Sequence, residues 1–289
     1  MKQLPLVFPC QGERLVGVAT VPPGDPGVAL VVIVGGPQYR VGSHRQYLQL
    51  TRHAAAHGFA ALRFDARGMG DADGDQRSFT DIADDVTAAI DALQAAVPSV
   101  RRVGLWGLCG GASAALLYCR ERRDPRVTGV ALVNPWVRSE ETQARTRVKH
   151  YYLQRLLQPA FWRKLLRGKV AIGAVGELSR ALRTTALSML SGPAAPAGPA
   201  LSLEQRMAEG LARFDGQTLL ILSGNDYTAK EFLETVHLDP VWQAQLARAT
   251  VTRLDIDAAD HTFSQPEAQA QVERATADWL GRLHPVPIR

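Results

Sequence analysis

A chain of 289 residues with 46% hydrophobic side chains and a net charge of +5 can bury a large core, which excludes a disordered protein. No run approaches the ~18 continuous apolar residues of a membrane span, and Met1-Lys2-Gln3-Leu4-Pro5 lacks the apolar stretch of a signal peptide. Three cysteines argue against a disulfide framework and for a reducing compartment, so a cytoplasmic protein is expected.

In chain order, Leu15 to Val21 alternates loosely and stops at Pro22-Pro23, which predicts an outer antiparallel strand. Val28 to Val34 is a continuous β-branched and apolar run, as in a strand covered on both faces, and it ends in Gly35-Gly36-Pro37-Gln38-Tyr39-Arg40. A helix pattern from about Ser43 to His57 closes at Gly58. Ala60 to Asp65 is the next short strand. Ser78-Phe79-Thr80-Asp81 resembles a capping box, and Ile82, Val86, Ile90, Leu93 and Val97 recur behind it at helical spacing. An apolar run then ends in Gly107-Leu108-Cys109-Gly110-Gly111, an Ala-rich helix pattern reaches about Arg122, and Val127 to Val133 predicts another buried strand. Alternating strands and helices predict an α/β protein with a mostly parallel central sheet flanked by helices.

After Trp136 the alternation breaks. Residues 138–200 are helix-compatible and strongly basic, and end in the Pro/Ala/Gly-rich linker Ser191 to Pro199; this predicts an inserted helical cap between core segments 1–137 and 201–289. Within it Arg145, Arg147, Lys149 and Arg155 interleave with Tyr151, Tyr152 and Leu153. That basic amphipathic pattern fits a phosphate-bearing carrier, an anionic saccharide or weak association with an anionic surface; it equally fits a solvated face packed over the core. The core pattern resumes with strand Thr218 to Ser223, a helix around Pro240 to Arg248, and strand Val251 to Ile256. Ser264-Gln265-Pro266-Glu267 reads as a capping box opening a last helix to about Leu283.

The Gly-x-Cys-x-Gly turn between a buried strand and a small-residue helix has the layout of a nucleophile elbow with cysteine where serine is commoner. Cys109 is the expected nucleophile. It needs a base, since the thiolate is the reactive form, and His261, between the last strand and the last helix, is the expected one. Asp226, after the strand that follows the cap, is expected to orient it, with Asp255, Asp257 and Asp260 as alternatives. Oxyanion donors are expected at Gly110 and in the loop after the early strand, Gly36 first and Gln38 second. Arg40, His44 and Arg45 lie beyond that loop, where they would meet an anionic group or face water. Ser113, a turn into the helix, reads as packing. No metal site and no cofactor are expected.

With these residues assembled, the chain resembles the α/β-hydrolase superfamily outside the cap. More narrowly it is similar to bacterial hydrolases associated with the exosortase A system, on Val34 to Arg45, Arg63-Phe64-Asp65-Ala66-Arg67-Gly68-Met69-Gly70, Gly107-Leu108-Cys109 and His150-Tyr151-Tyr152-Leu153-Gln154. Gly110 departs from the acidic residue that the narrower resemblance implies after the cysteine. The cysteine is also similar to that of dienelactone hydrolases. The resemblance implies an α/β-hydrolase fold and a place in exopolysaccharide and protein-sorting systems. The expected activity is cleavage of an acyl ester or thioester on a small or carrier-bound substrate through an acyl-cysteine; nucleic acid is not an expected partner. The alternatives are transfer of the same acyl group to an acceptor, or a non-catalytic binding scaffold.

Overall fold

The computed structural model describes residues 1–138 and 201–283. The chain divides into two compact units, Met1–Val137 with Leu203–Arg289, and Arg138–Ser202. The expected cap, with its basic residues, its linker and the stretch His150 to Gln154, lies outside the described residues but for Arg138.

The first unit is an eight-stranded sheet ordered β1-β2-β4-β3-β5-β6-β7-β8. Its strands are β1 Lys2–Cys10, β2 Glu13–Val21, β3 Val28–Ile33, β4 Ala60–Asp65, β5 Arg102–Leu108, β6 Val127–Val133, β7 Gln217–Ser223 and β8 Val251–Ile256. The β1–β2 and β2–β4 pairs are antiparallel and all later pairs parallel. Every residue of β3 and β4 is buried: β3 is a continuous apolar run, as a strand covered by helices on both faces requires, and β4 also buries Arg63 and Asp65.

Helices α1 Gln46–Ala56 and α7 Pro266–Arg282 pack Tyr47, Leu50, Val272 and Trp279 on one face. Helices α2 Ala83–Ala96, α3 Gly110–Glu121 and α4 Leu203–Ala212 pack Val86, Ile90, Leu116, Met207 and Leu211 on the other. α5 Tyr227–Leu238 and α6 Pro240–Leu246 add Phe232 and Trp242 to that second core. This is the expected α/β-hydrolase arrangement, and it brings the carboxyl ends of β5, β7 and β8 to one edge. Among the described residues no helix is long and apolar enough to cross a membrane.

Several local expectations are corrected. β1 was not anticipated, because Pro5 and Pro9 interrupt it; as an edge strand it tolerates them, and Leu4, Leu6, Phe8 and Cys10 alternate inward. Ser78 caps only a single 3₁₀ turn, Phe79–Asp81, and α2 begins behind it without a side-chain cap. The Ser264 box does not form either. Its hydroxyl donates to Asp260, and α7 starts at Pro266 with no side-chain cap. α4 and α5 were likewise not anticipated.

Candidate active site

The site is built around the turn from β5 into α3. Cys109 occupies φ 57°, ψ −121°, a strained conformation for a residue with a side chain. Backbone crowding explains the glycines around it. A Cβ on Gly107 would stand 2.1 Å from the Gly111 carbonyl carbon, and one on Gly111 would stand 2.3 Å from the Ile33 oxygen. The loop after β3 leans directly on the turn: a Cβ on Gly35 would meet the Gly111 nitrogen at 1.7 Å, and one on Gly110 the Gly35 oxygen at 2.3 Å. The departure at Gly110 thus has a physical reason, since an acidic residue has no room there.

Three cysteines are free, and they differ in environment. Cys10 and Cys119 are buried, and burial pushes their thiols up to about 11 and about 12, which leaves them protonated at neutral pH. Cys109 is partly exposed. Ser113 is fully buried and its hydroxyl donates to the Trp136 and Cys109 carbonyls at 2.5 and 3.3 Å, so it packs the turn.

His261 lies in the loop between β8 and α7, and its Nδ1 is 2.8 Å from Asp226 Oδ2. Asp226 ends the loop after β7 and also caps α5, accepting from the Thr228 and Ala229 N–H groups at 3.2 Å each. Two of the three sequence alternatives are otherwise engaged: Asp255 pairs with Arg253, and Asp260 accepts from the Thr262 and Ser264 N–H groups. Burial pushes the Asp226 carboxyl up, but the bond and charge of His261 and the two capping N–H groups outweigh it and hold it low. The His261 ring is raised from 6.5 to about 10, first by its bond to Asp226 and next by the Cys109 thiol, against its own burial.

The sign of that shift gives a prediction. The folded chain holds the His261 proton more tightly than the unfolded chain, so the stabilisation is fully present below about pH 6.5 and is lost as pH rises through about 10. Urea unfolding of His261→Gln is therefore expected to show a deficit against wild type at pH 6 that closes toward pH 10. A deficit independent of pH would contradict it.

As the first residue of α3, Gly110 has an N–H without an intrahelical acceptor, at the positive end of the helix. Gly36 follows the contact between Gly35 and the turn, with open space about its Cα. Gln38 is a correction: its N–H donates to the Gly36 oxygen at 2.6 Å, and its side-chain oxygen accepts from Tyr47 at 3.5 Å. Arg40 is another. Its backbone N–H and its guanidinium both bond Asp65, and the guanidinium reaches Asp71 at 2.8 Å, so it anchors the loop and presents no free charge. His44 Nε2 lies 3.0 Å from the Thr262 oxygen, which ties it to the His261 loop. Arg45 is exposed, and its backbone N–H donates to the Gly42 oxygen at 3.2 Å.

Sequence reasoning missed Tyr47 and Asn134. Tyr47 is buried beside Cys109, whose charge together with burial raises its phenol. Asn134, at the end of β6, donates to the His261 carbonyl at 3.0 Å. Its position after a buried strand was the available signal. Among the described residues no cluster of metal-ligating side chains forms.

Residues 26–227 match the family described as serine aminopeptidase, S33. No curated protein matches the chain in sequence. Similar solved structures include an esterase from Pyrococcus furiosus, with a TM-score of 0.66 and 15% identity over 97% of this chain and 91% of that one. A dienelactone hydrolase from Anabaena variabilis has a TM-score of 0.60 and 16% identity over 97% of both chains. An esterase domain from Rhodothermus marinus has 0.59 and 19% over 98% and 99%. At these identities the likeness is one of fold.

Proposed function

The chain belongs to the serine aminopeptidase, S33, family of α/β-hydrolases, and within it we propose a Cys-His-Asp hydrolase that cleaves an acyl ester or thioester through an acyl-cysteine. The observation that carries this reading is the Asp226–His261 pair, 2.8 Å apart, whose ring is further raised by the Cys109 thiol. With Nδ1 turned to Asp226, Nε2 is left for the thiol. At neutral pH the raised ring already carries the proton on Nε2, and the sulfur attacks the acyl carbonyl carbon as the thiolate. The Gly110 and Gly36 N–H groups hold the oxyanion. The acyl C–O or C–S bond then breaks, and the leaving group takes the proton from His261. A water then gives a proton to Nε2 and its oxygen bonds the same carbon; the C–S bond to Cys109 breaks, the acid leaves, and the thiolate–imidazolium pair is restored.

Sulfur is a good leaving group, so activated donors such as thioesters suit this site better than amides. The family description points instead to a peptide amide, with a serine at the elbow, where this chain has Cys109. The link to exosortase systems, and a carrier-bound or anionic acyl substrate, belong to the same proposal. Two of the stretches behind that link serve the fold: Arg40 bonds Asp65, and Arg67 makes a buried bidentate pair with Asp85. They speak for architecture more than substrate. Turnover of acyl thioesters, p-nitrophenyl esters and aminoacyl p-nitroanilides should fall in that order. Anilide cleavage without ester cleavage would overturn the reading, and acylation of an added alcohol or amine would make it transfer.

A further inference from the structure

We propose that Asn134 is the positioning residue that sets the separation of Cys109 from His261; this rests on the Cys-His-Asp reading above. The segment Val133 to Trp136, at the end of β6, touches both partners through their backbones. On one side the Cys109 N–H donates to the Val133 oxygen at 2.9 Å, and the Trp136 N–H donates to the Cys109 oxygen at 3.3 Å. On the other, Asn134 Nδ2 donates to the His261 oxygen at 3.0 Å and to Ser223 Oγ at 2.7 Å. Asn134 Oδ1 accepts from the Ser223 N–H at 2.9 Å, and Ser223 Oγ donates on to the Asp260 oxygen at 2.9 Å. The amide orientation is fixed by its partners, since an N–H faces Oδ1 and a carbonyl faces Nδ2.

Asn134 is fully buried and holds φ 43°, a left-handed conformation that asparagine tolerates better than most residues. Its own N–H donates to the Ile221 oxygen at 3.0 Å, which locks the segment to β7. The carbonyls of Asp260 and His261 are thereby held by one side chain and its Ser223 partner. A few bonded residues connect that side chain to the backbone of Cys109. A loop histidine would otherwise be free to drift, and a misplacement of about 1 Å is enough to lower turnover roughly 10²-fold.

The test uses Asn134→Asp, which keeps the backbone preference and the acceptor for Ser223 but turns an acceptor toward the His261 carbonyl. Ser223→Ala is the second variant; it removes the link to Asp260 and keeps the backbone donor. Each is measured for thermal unfolding, for kcat and KM on p-nitrophenyl acetate, and for the pH dependence of Cys109 alkylation by iodoacetamide. Folded Asn134→Asp is expected to lose about 10- to 100-fold in kcat with KM changed less than about twofold. Its alkylation midpoint should move to higher pH, because the thiolate loses its nearby imidazolium. Ser223→Ala should fall between it and wild type, and carries the test if Asn134→Asp does not fold. A fall in melting temperature with kcat and midpoint unmoved would assign Asn134 to the fold alone and overturn the proposal. If wild-type Cys109 reacts no faster than Cys10 and Cys119, the nucleophile reading fails instead. The ¹⁵N titration of His261 in Ser223→Ala, which adds no charge, then decides for Asn134: a shift from wild type upholds positioning, and no shift overturns it.

Discussion

Replacing Cys109 by alanine is expected to lower turnover of an activated ester by roughly four to six orders of magnitude, with the fold intact. The side chain is small and partly exposed, so the truncation leaves little cavity. What it removes is the one atom that forms the covalent intermediate. The residual rate would come from the Gly110 N–H, the free end of α3 and substrate binding, which in other triad hydrolases leave about 10³- to 10⁴-fold over water. His261→Ala should cost nearly as much, and Cys109→Ala with His261→Ala scarcely more than either alone, because nucleophile and base act as one unit. Steady-state rates of the three variants check this. Multiplicative losses in the double variant would mean that the two residues act separately.

The second large effect concerns Gly35, a residue that touches no substrate in this account. Alanine there would put its Cβ 1.7 Å from the Gly111 nitrogen and 2.3 Å from the Gly110 carbonyl carbon. Both neighbours are backbone atoms at the start of α3, so no rotamer change relieves the contact. Either the loop after β3 or the elbow must move. We expect Gly35→Ala to lose roughly 3 kcal/mol or more of stability, and to lose activity beyond that, since the displaced groups include the Gly110 N–H. Gly36→Ala is the control, because nothing lies within 4 Å of its Cβ position. Urea unfolding of the pair should separate them clearly; equal stability would show that the loop is not wedged against the turn.

The sheet was largely legible in the sequence because buried parallel strands carry a strong signal. The unbroken apolar run Val28 to Ile33 and the β-branched stretch Val127 to Val133 both read directly as strands. β1 was not, because its two prolines read as punctuation where an edge strand simply tolerates them. The expected cap helices rest on residues outside those described. In the site, Cys109, Asp226 and His261 stood out by position, each between a strand of the parallel sheet and the helix that follows it. Their supports were harder to see. In the sequence Arg40 and His44 stand where they would meet an anionic group or face water; the fold instead turns Asp65 and Asp71 toward Arg40 and the Thr262 carbonyl toward His44. Asn134 could be noticed only as a polar residue after a buried strand, because its partner, the His261 carbonyl, lies more than a hundred residues away in the chain.

The central claim is an acyl group carried on sulfur. Intact-mass spectrometry of the protein quenched in acid after mixing with an acyl thioester tests it most directly. One added acyl group is expected, located on Cys109 by peptide mapping and absent from Cys109→Ala. An adduct that persists in Cys109→Ala, or turnover that proceeds with no adduct under rapid quenching, would contradict it.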